Sequence, residues 1–245
     1  MFSFLRKRSL EPEYMDDFSE GGVALLEALR HLRRLNRVFG AAGPTMYGVR
    51  RLWKLAGKPC RLSILDIGAG SGDVNKRLLK WADRHGIQMS ITLVDITWEA
   101  CAEARELYAG EDRVKIRRAD LFQLAEQAEE EAWACADIVT ASQFVHHFDE
   151  EQLPRVIDAM LSCSRYGVVV NDIHRHWVSW GAVWLMTRLL SKNDYIRHDG
   201  PLSVAKGFRS ADWKKLKNAM PSARMQYSWR PLFRYCLIAR PWRPR

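Results

Sequence analysis

The sequence contains no uninterrupted apolar stretch of the roughly 20 residues that a membrane-spanning helix needs, so its 245 residues are expected to fold without crossing a bilayer. Its five cysteines, Cys60, Cys101, Cys135, Cys163 and Cys236, are scattered and form no C-x-x-C pair. That argues against a disulfide framework and reads as reduced thiols in a cytoplasmic protein. Metal-ligand spacing is missing as well. His146 and His147 are adjacent, which is poor spacing for two ligands of one ion, and no cysteine or carboxylate is grouped with them in the sequence. No metal is expected. The opening MFSFLRKRSL carries charge without an apolar segment behind it. It reads as a mobile basic leader rather than a secretory signal. Acid is scarce at the other end. From Ser203 onward eleven Lys and Arg stand against one acid, Asp212, so the net charge of +9 is concentrated there and the remainder is close to neutral.

What is present is concentrated in residues 62–73, LSILDIGAGSGD. An apolar run, 62–67, stops at Gly68-x-Gly70-x-Gly72, the pattern of a buried parallel strand that enters a tight turn and then a helix. The helix start aims unpaired N–H groups at whatever occupies the turn. A dinucleotide fingerprint would carry its third glycine where Asp73 stands. Asp73, with Asp66 just before the turn, would repel a pyrophosphate. Both suit a ligand with a sulfonium and an ammonium group, such as S-adenosylmethionine, whose single carboxylate the helix start could receive.

Further strand tips carry acids. Residues 90–96, SITLVDI, end in Asp95-Ile96, and an acid at the second strand end is where a ribose diol would be held. Residues 113–120, RVKIRRAD, end in Asp120, followed by Leu121. Residues 137–142 form a fourth strand running into Gln143, Phe144, Val145, His146, His147 and Phe148, and 166–172 form a fifth ending in Asp172. The pattern Asp66-x-Gly68-x-Gly70-x-Gly72, with these acids behind it, resembles motif I of the class I S-adenosylmethionine-dependent methyltransferases. The likeness spans about residues 61–239 and is nearest to the ubiquinone/menaquinone-type and polyketide-associated small-molecule enzymes. It implies an α/β, Rossmann-like, doubly wound seven-stranded sheet, mostly parallel with a C-terminal antiparallel strand. It also implies cofactor contacts from Asp66, Gly68, Ala69, Gly70, Asp73, Asp95, Ile96, Asp120, Leu121 and Gln143, with Asp120 on the adenine amine and Leu121 against the ring.

Helices are expected at 23–39, with a leucine stripe, and from Pro44 to about 56. They would alternate with the strands at 73–85, 98–108 and 150–164, and 224–229 with 234–239 read as a hairpin. The expected division is a leader with cap helices, 1–58, and a core, 59–245, carrying a cap insertion at about 174–208. Within it, Trp177, Trp180 and Trp184 lie at helical spacing on a segment apolar nearly all round, which must be buried or must face a partner, lipid or ligand. Gly181 would admit a close helix, and 194–208 looks turn-forming. The tryptophans, with Arg197 and His198, are the expected acceptor wall.

For methyl transfer to a phenol or enol, a histidine is the natural base. His147 is the first choice, with His146 beside it, His174 and His198 as alternatives, and Asp172 to orient a histidine or the acceptor. The expected partner is a hydrophobic small molecule, methylated at oxygen. Nucleic acid is not expected, since nothing resembles an RNA-binding module. The basic C-terminal region keeps an RNA or protein acceptor open, and the tryptophan segment keeps a non-catalytic module or a membrane-surface contact open. Monomer and homodimer both remain open.

Overall fold

The computed structural model describes residues 3–16, 22–38, 40–130 and 135–242. The ends of the expected leader, first helix and basic C-terminal region (residues 1–2, 39 and 243–245) lie outside them. Seven strands form one sheet: β1 (Arg61–Ile67), β2 (Gln88–Asp95), β3 (Val114–Arg118), β4 (Ala136–Ser142), β5 (Ser164–Ile173), β6 (Ala223–Arg230) and β7 (Arg234–Pro241). Their order is β3-β2-β1-β4-β5-β7-β6. The first five are parallel, and β7 runs antiparallel between β5 and β6. The parallel strands are apolar because both faces are covered: Ile64 and Leu65 point to opposite sides and both are buried.

One face packs against α2 (Ala42–Leu55), α3 (Asn75–His85) and α4 (Trp98–Leu107). The other packs against α5 (Leu121–Glu130), α6 (Leu153–Ser162) and α9 (Ser210–Ala219). The doubly wound seven-stranded sheet expected from the sequence is therefore present. Helix α2 falls on the leader side of the boundary drawn at residue 58, yet its Val49 and Leu52 belong to the core on β5 and β7.

Over the C-terminal ends of the strands lie α1 (Val23–Val38), α7 (Trp177–Leu190), α8 (Asp194–Lys206) and the segment 3–16. Three expectations are corrected here. Residues 194–206 form α8 instead of a turn-rich loop, with Gly200 and Pro201 inside it. The close helix contact is at Gly200, where a Cβ would lie 2.7 Å from Thr187 of α7; Gly181 has nothing within 4 Å. The leader is also not loose. Leu5 is buried, and Arg8 donates to the carbonyls of Lys206 (2.8 Å), His146 (2.9 Å) and Phe148 (2.8 Å). Residues 3–16 are thus a strap bound across the end of the sheet.

Candidate active site

β1 delivers the chain into the glycine turn at the point where the strand order reverses, between β1 and β4. Gly68, Gly70 and Gly72 all take positive φ, and Gly72 N–H donates to Ala69 O at 2.8 Å. At Gly72 a Cβ would lie 2.4 Å from Leu93, whereas at Gly70 it would meet no atom within 4 Å. Gly72 is a packing glycine and Gly70 faces open space.

That space is a cavity of about 430 Å³. At one end its lining includes Gly68, Gly70, Asp95, Ile96, Asp120 and Leu121. Asp95 receives Gly70 N–H on Oδ2 (2.9 Å) and the Thr97 N–H (3.1 Å) and hydroxyl (2.9 Å) on Oδ1. Asp120 Oδ1 receives Phe122 N–H (2.8 Å) at the start of α5. Gln143, at φ 55°, donates through Nε2 to Asn36 of α1 at 2.7 Å. The other end is formed by Glu13, Phe144, His146, His147 and Phe148, roofed by Leu25, Leu29 and Leu32 of α1.

The histidine end is an ionic network. His146 Nδ1 lies 2.8 Å from Asp172 Oδ1, and its Nε2 lies 3.5 Å from Glu13 Oε1. Burial alone would lower the His146 pKa, but Asp172 and then Glu13 overcome it and raise it to about 9. Burial would in turn raise both carboxyls, yet His146 holds Glu13 and Asp172 below the usual carboxylate range. The expectation that no carboxylate is grouped with the histidines is thereby corrected: the strap brings in Glu13 from far along the chain. The ligating atoms of Glu13, His146 and His147 lie within 4.8 Å of one another, near enough for a cation. Protonated His146 and Lys206, whose Nζ is 3.7 Å from Glu13 Oε1, already supply positive charge there.

Residues 64–167 match the family model described as a methyltransferase domain. The match covers less than half of the chain. Among solved structures it is similar to the plantazolicin methyltransferase BpumL in complex with a monoazolic desmethylPZN analog and SAH, at 13% identity and TM-score 0.62 over 88% of this chain and 90% of that one. It is also similar to a SAM-dependent methyltransferase from Aquifex aeolicus, at 11% identity and TM-score 0.57 over 87% and 97%. A third likeness is to the citrinin polyketide synthase CMeT domain, at 15% identity and TM-score 0.52 over 74% of this chain; the match spans 46% of that longer chain. At these identities the likeness to each is one of fold. No curated protein matches the sequence.

The cofactor expected from the sequence is S-adenosylmethionine, and the lining fits it. The open side of Gly70 leaves room against the backbone, and two strand-tip carboxylates face a slot walled by Ile96 and Leu121. Several residues expected in the site lie elsewhere. Asp66 is buried beneath the loop, receiving Asn75 Nδ2–H and the Thr140 hydroxyl, both at 2.6 Å. Burial raises its pKa to about 6. Ala69 packs toward the core and Asp73 sits in the turn before α3; neither lines the cavity. Asp172 is fully buried behind His146. Trp177, Trp180 and Trp184 are on α7, outside the lining. Arg197 donates to Ser191 O (2.8 Å), and His198 pairs with Asp199 (2.8 Å), which also receives the strap N–H groups of Tyr14 and Met15 (both 2.9 Å). The apolar wall of the cavity is built by the α1 leucines, Phe144 and Phe148, and the tryptophans take no part in it. The leucine stripe was visible in the sequence, whereas nothing there signalled Glu13, Met15 or Ser203.

Proposed function

We propose that this chain is a methyltransferase that acts on an oxygen of a flat, hydrophobic small molecule of phenol or enol type, aromatic or polyketide-like. One observation carries the reading: a single cavity joins the strand-tip carboxylates to His147 beneath a roof of leucines and phenylalanines. A charged or bulky polymeric acceptor would gain little from that roof, and a conjugated ring would bury well against it. Among similar structures one holds a monoazolic ligand and another is a magnesium protoporphyrin IX methyltransferase from Synechocystis; azole and porphyrin are both conjugated ring systems, which supports the reading. The basic side chains behind an RNA or protein acceptor, Lys217, Arg224 and Arg240, line a separate groove beside Trp242 and not this cavity.

Asp95 would hold the ribose hydroxyls, Asp120 the adenine amine, Leu121 and Ile96 the ring faces. The backbone of Gly68 and Gly70, with Gln143, would hold the methionine portion. When bound, the cofactor supplies an electrophilic methyl group for in-line displacement by the acceptor oxygen. His147 is the base that removes the acceptor proton. His146 is a positioning residue: anchored by Asp172, it stacks on the His147 ring at 4.3 Å and ties down Glu13. The strap and α1 exclude water and hold the acceptor at the approach distance of about 3–3.5 Å that transfer requires.

The test is incubation with labelled S-adenosylmethionine and a panel of alkyl phenols, enolic diketides, transfer RNA and peptides, with mass detection. The expected result is O-methylated phenol or enol, and His147→Ala lowers turnover about 10²–10⁴-fold while S-adenosylhomocysteine affinity stays within twofold. Label found on RNA or peptide, or unchanged turnover of the variant, overturns the assignment.

A further inference from the structure

Helix α7 is packed inside out. Its fully buried side chains are Ser179 and Thr187, while Trp184, Leu185, Leu189 and Leu190 are 40%, 50%, 69% and 49% exposed. Trp177, Trp184, Leu185, Arg188 and Leu189 share one face at helical spacing. Arg188 lays its guanidinium over the Trp184 ring at 4.2 Å. The patch extends past the helix. Exposed Phe4 meets Trp180 edge-on at 5.3 Å. His176, which precedes α7, stacks at 5.2 Å on Phe233 of the β6–β7 turn, beside exposed Leu232. Water is a poor neighbour for so continuous an apolar surface.

The charge on the segments that build it has one sign. The segments that build the patch, residues 3–10, 174–193 and 224–242, contain no Asp or Glu. They contribute exposed Arg6, Lys7, Arg188 and Lys192.

We propose that this face docks on an anionic lipid bilayer, with α7 lying in the interface. Tryptophan and leucine in the plane with Lys and Arg at the rim suit the boundary between acyl chains and anionic headgroups. The 14 residues of α7 reach about 21 Å, short of the roughly 30 Å of a hydrocarbon core. No helix among the described residues is long and apolar enough to cross a membrane. A second copy fits less well: a two-fold pairing through this face would bury Arg188 and Lys192 of both copies with no acid from the segments that build the patch to meet them. Helix α7 packs on α8, whose Ser203 lines the cavity and which also packs against α1, the helix bearing the roof leucines. A docked α7 therefore brings the roof of the site close to whatever hydrophobic molecule the bilayer dissolves. Docking itself does not depend on which acceptor is used.

The full chain is sedimented with vesicles of phosphatidylcholine alone or mixed with phosphatidylglycerol, at low and high salt. Binding to the mixed vesicles is expected, weakened by salt. Leu185→Ser with Leu189→Ser should weaken it about tenfold or more. Arg188→Gln with Lys192→Gln should weaken it about tenfold on mixed vesicles only. Unchanged S-adenosylhomocysteine affinity in both variants shows that they fold and that the cofactor site is intact. No sedimentation of the parent protein on mixed vesicles overturns the proposal, as does binding indifferent to both variants. A lipid-indifferent dimer that the leucine variant dissociates would also overturn it, assigning the face to a second copy.

Discussion

Gly70 and Gly72 are two positions apart and do different things. Both sit at positive φ, where any Cβ costs about 1–2 kcal/mol. At Gly72 the added methyl would also strike Leu93, so Gly72→Ala should lose about 2–4 kcal/mol in urea unfolding. Gly70→Ala strikes nothing in the protein and should lose only the backbone cost, yet its methyl projects into the cavity. Its S-adenosylhomocysteine affinity should fall at least about tenfold by calorimetry, a loss near 1.4 kcal/mol. Unchanged affinity would mean that the loop does not seat the cofactor. A second residue-scale consequence concerns pH. His146 is raised to about 9 from an ordinary value near 6.5. Its stabilising contribution is therefore complete below about pH 6.5 and lost as pH rises through about 9. Glu13 and Asp172 are depressed, so theirs is present above the usual carboxylate range and lost as acid protonates them. Asp172→Asn should cost about 3–5 kcal/mol at neutral pH, because His146 would be left facing a neutral partner. It should also move the alkaline decline of stability to lower pH. Urea midpoints measured across pH read both effects; an unmoved alkaline limb would show that His146 does not titrate there.

At the scale of elements, the strap decides whether the site is closed. Arg8 is its rivet: one guanidinium serves three carbonyls, on α8 and on the turn bearing the histidines, and lies 4.4 Å over the Phe208 ring. Arg8→Ala should cost about 2–3 kcal/mol and expose residues 3–16 to protease, with the acceptor KM rising more than the cofactor affinity falls. Protease resistance equal to the parent would show that the strap is held elsewhere. The sequence disclosed the strands and helices whose pattern is local. The apolar run into the glycines, the acids after β2 and β3, and the hairpin around Pro231 each carry their own periodicity or turn residues. It did not disclose the strap or α8. Glu13 has meaning only beside His146, and no local pattern marks a residue for a partner more than a hundred positions away. Gly200 and Pro201 are turn formers by propensity, but both lie in α8, and at Gly200 a Cβ would crowd Thr187 and Val183 of α7, so the helix packing there requires glycine. Tertiary packing there outweighs local preference. The tryptophans lie outside the cavity lining for a related reason. An apolar segment signals that something must cover it, and the covering need not come from the chain itself.

For the molecule as a whole, the proposed cofactor site and the core are expected to unfold as one cooperative unit. Asp95 ends β2, the glycine turn ends β1, and Gln143 follows β4 while bonded by its backbone N–H to Asn171 of β5 at 2.8 Å. A ligand seated on these tips is held by the central strands of the sheet and, through the Gln143–Asn36 bond, by α1 of the cap. Unfolding any of them releases it. Binding to the native state alone therefore stabilises the entire chain, by about 2.7 kcal/mol at a ligand concentration near 100 times Kd. A domain of this length shifts by about 2–4 °C per kcal/mol, so S-adenosylhomocysteine should raise the Tm by about 5–10 °C in a single transition. Calorimetric scans with and without the ligand measure it. Two transitions, of which only one moves, would show that the cap melts apart from the sheet. A Tm indifferent to saturating ligand would show that the cavity at the strand tips does not take the cofactor.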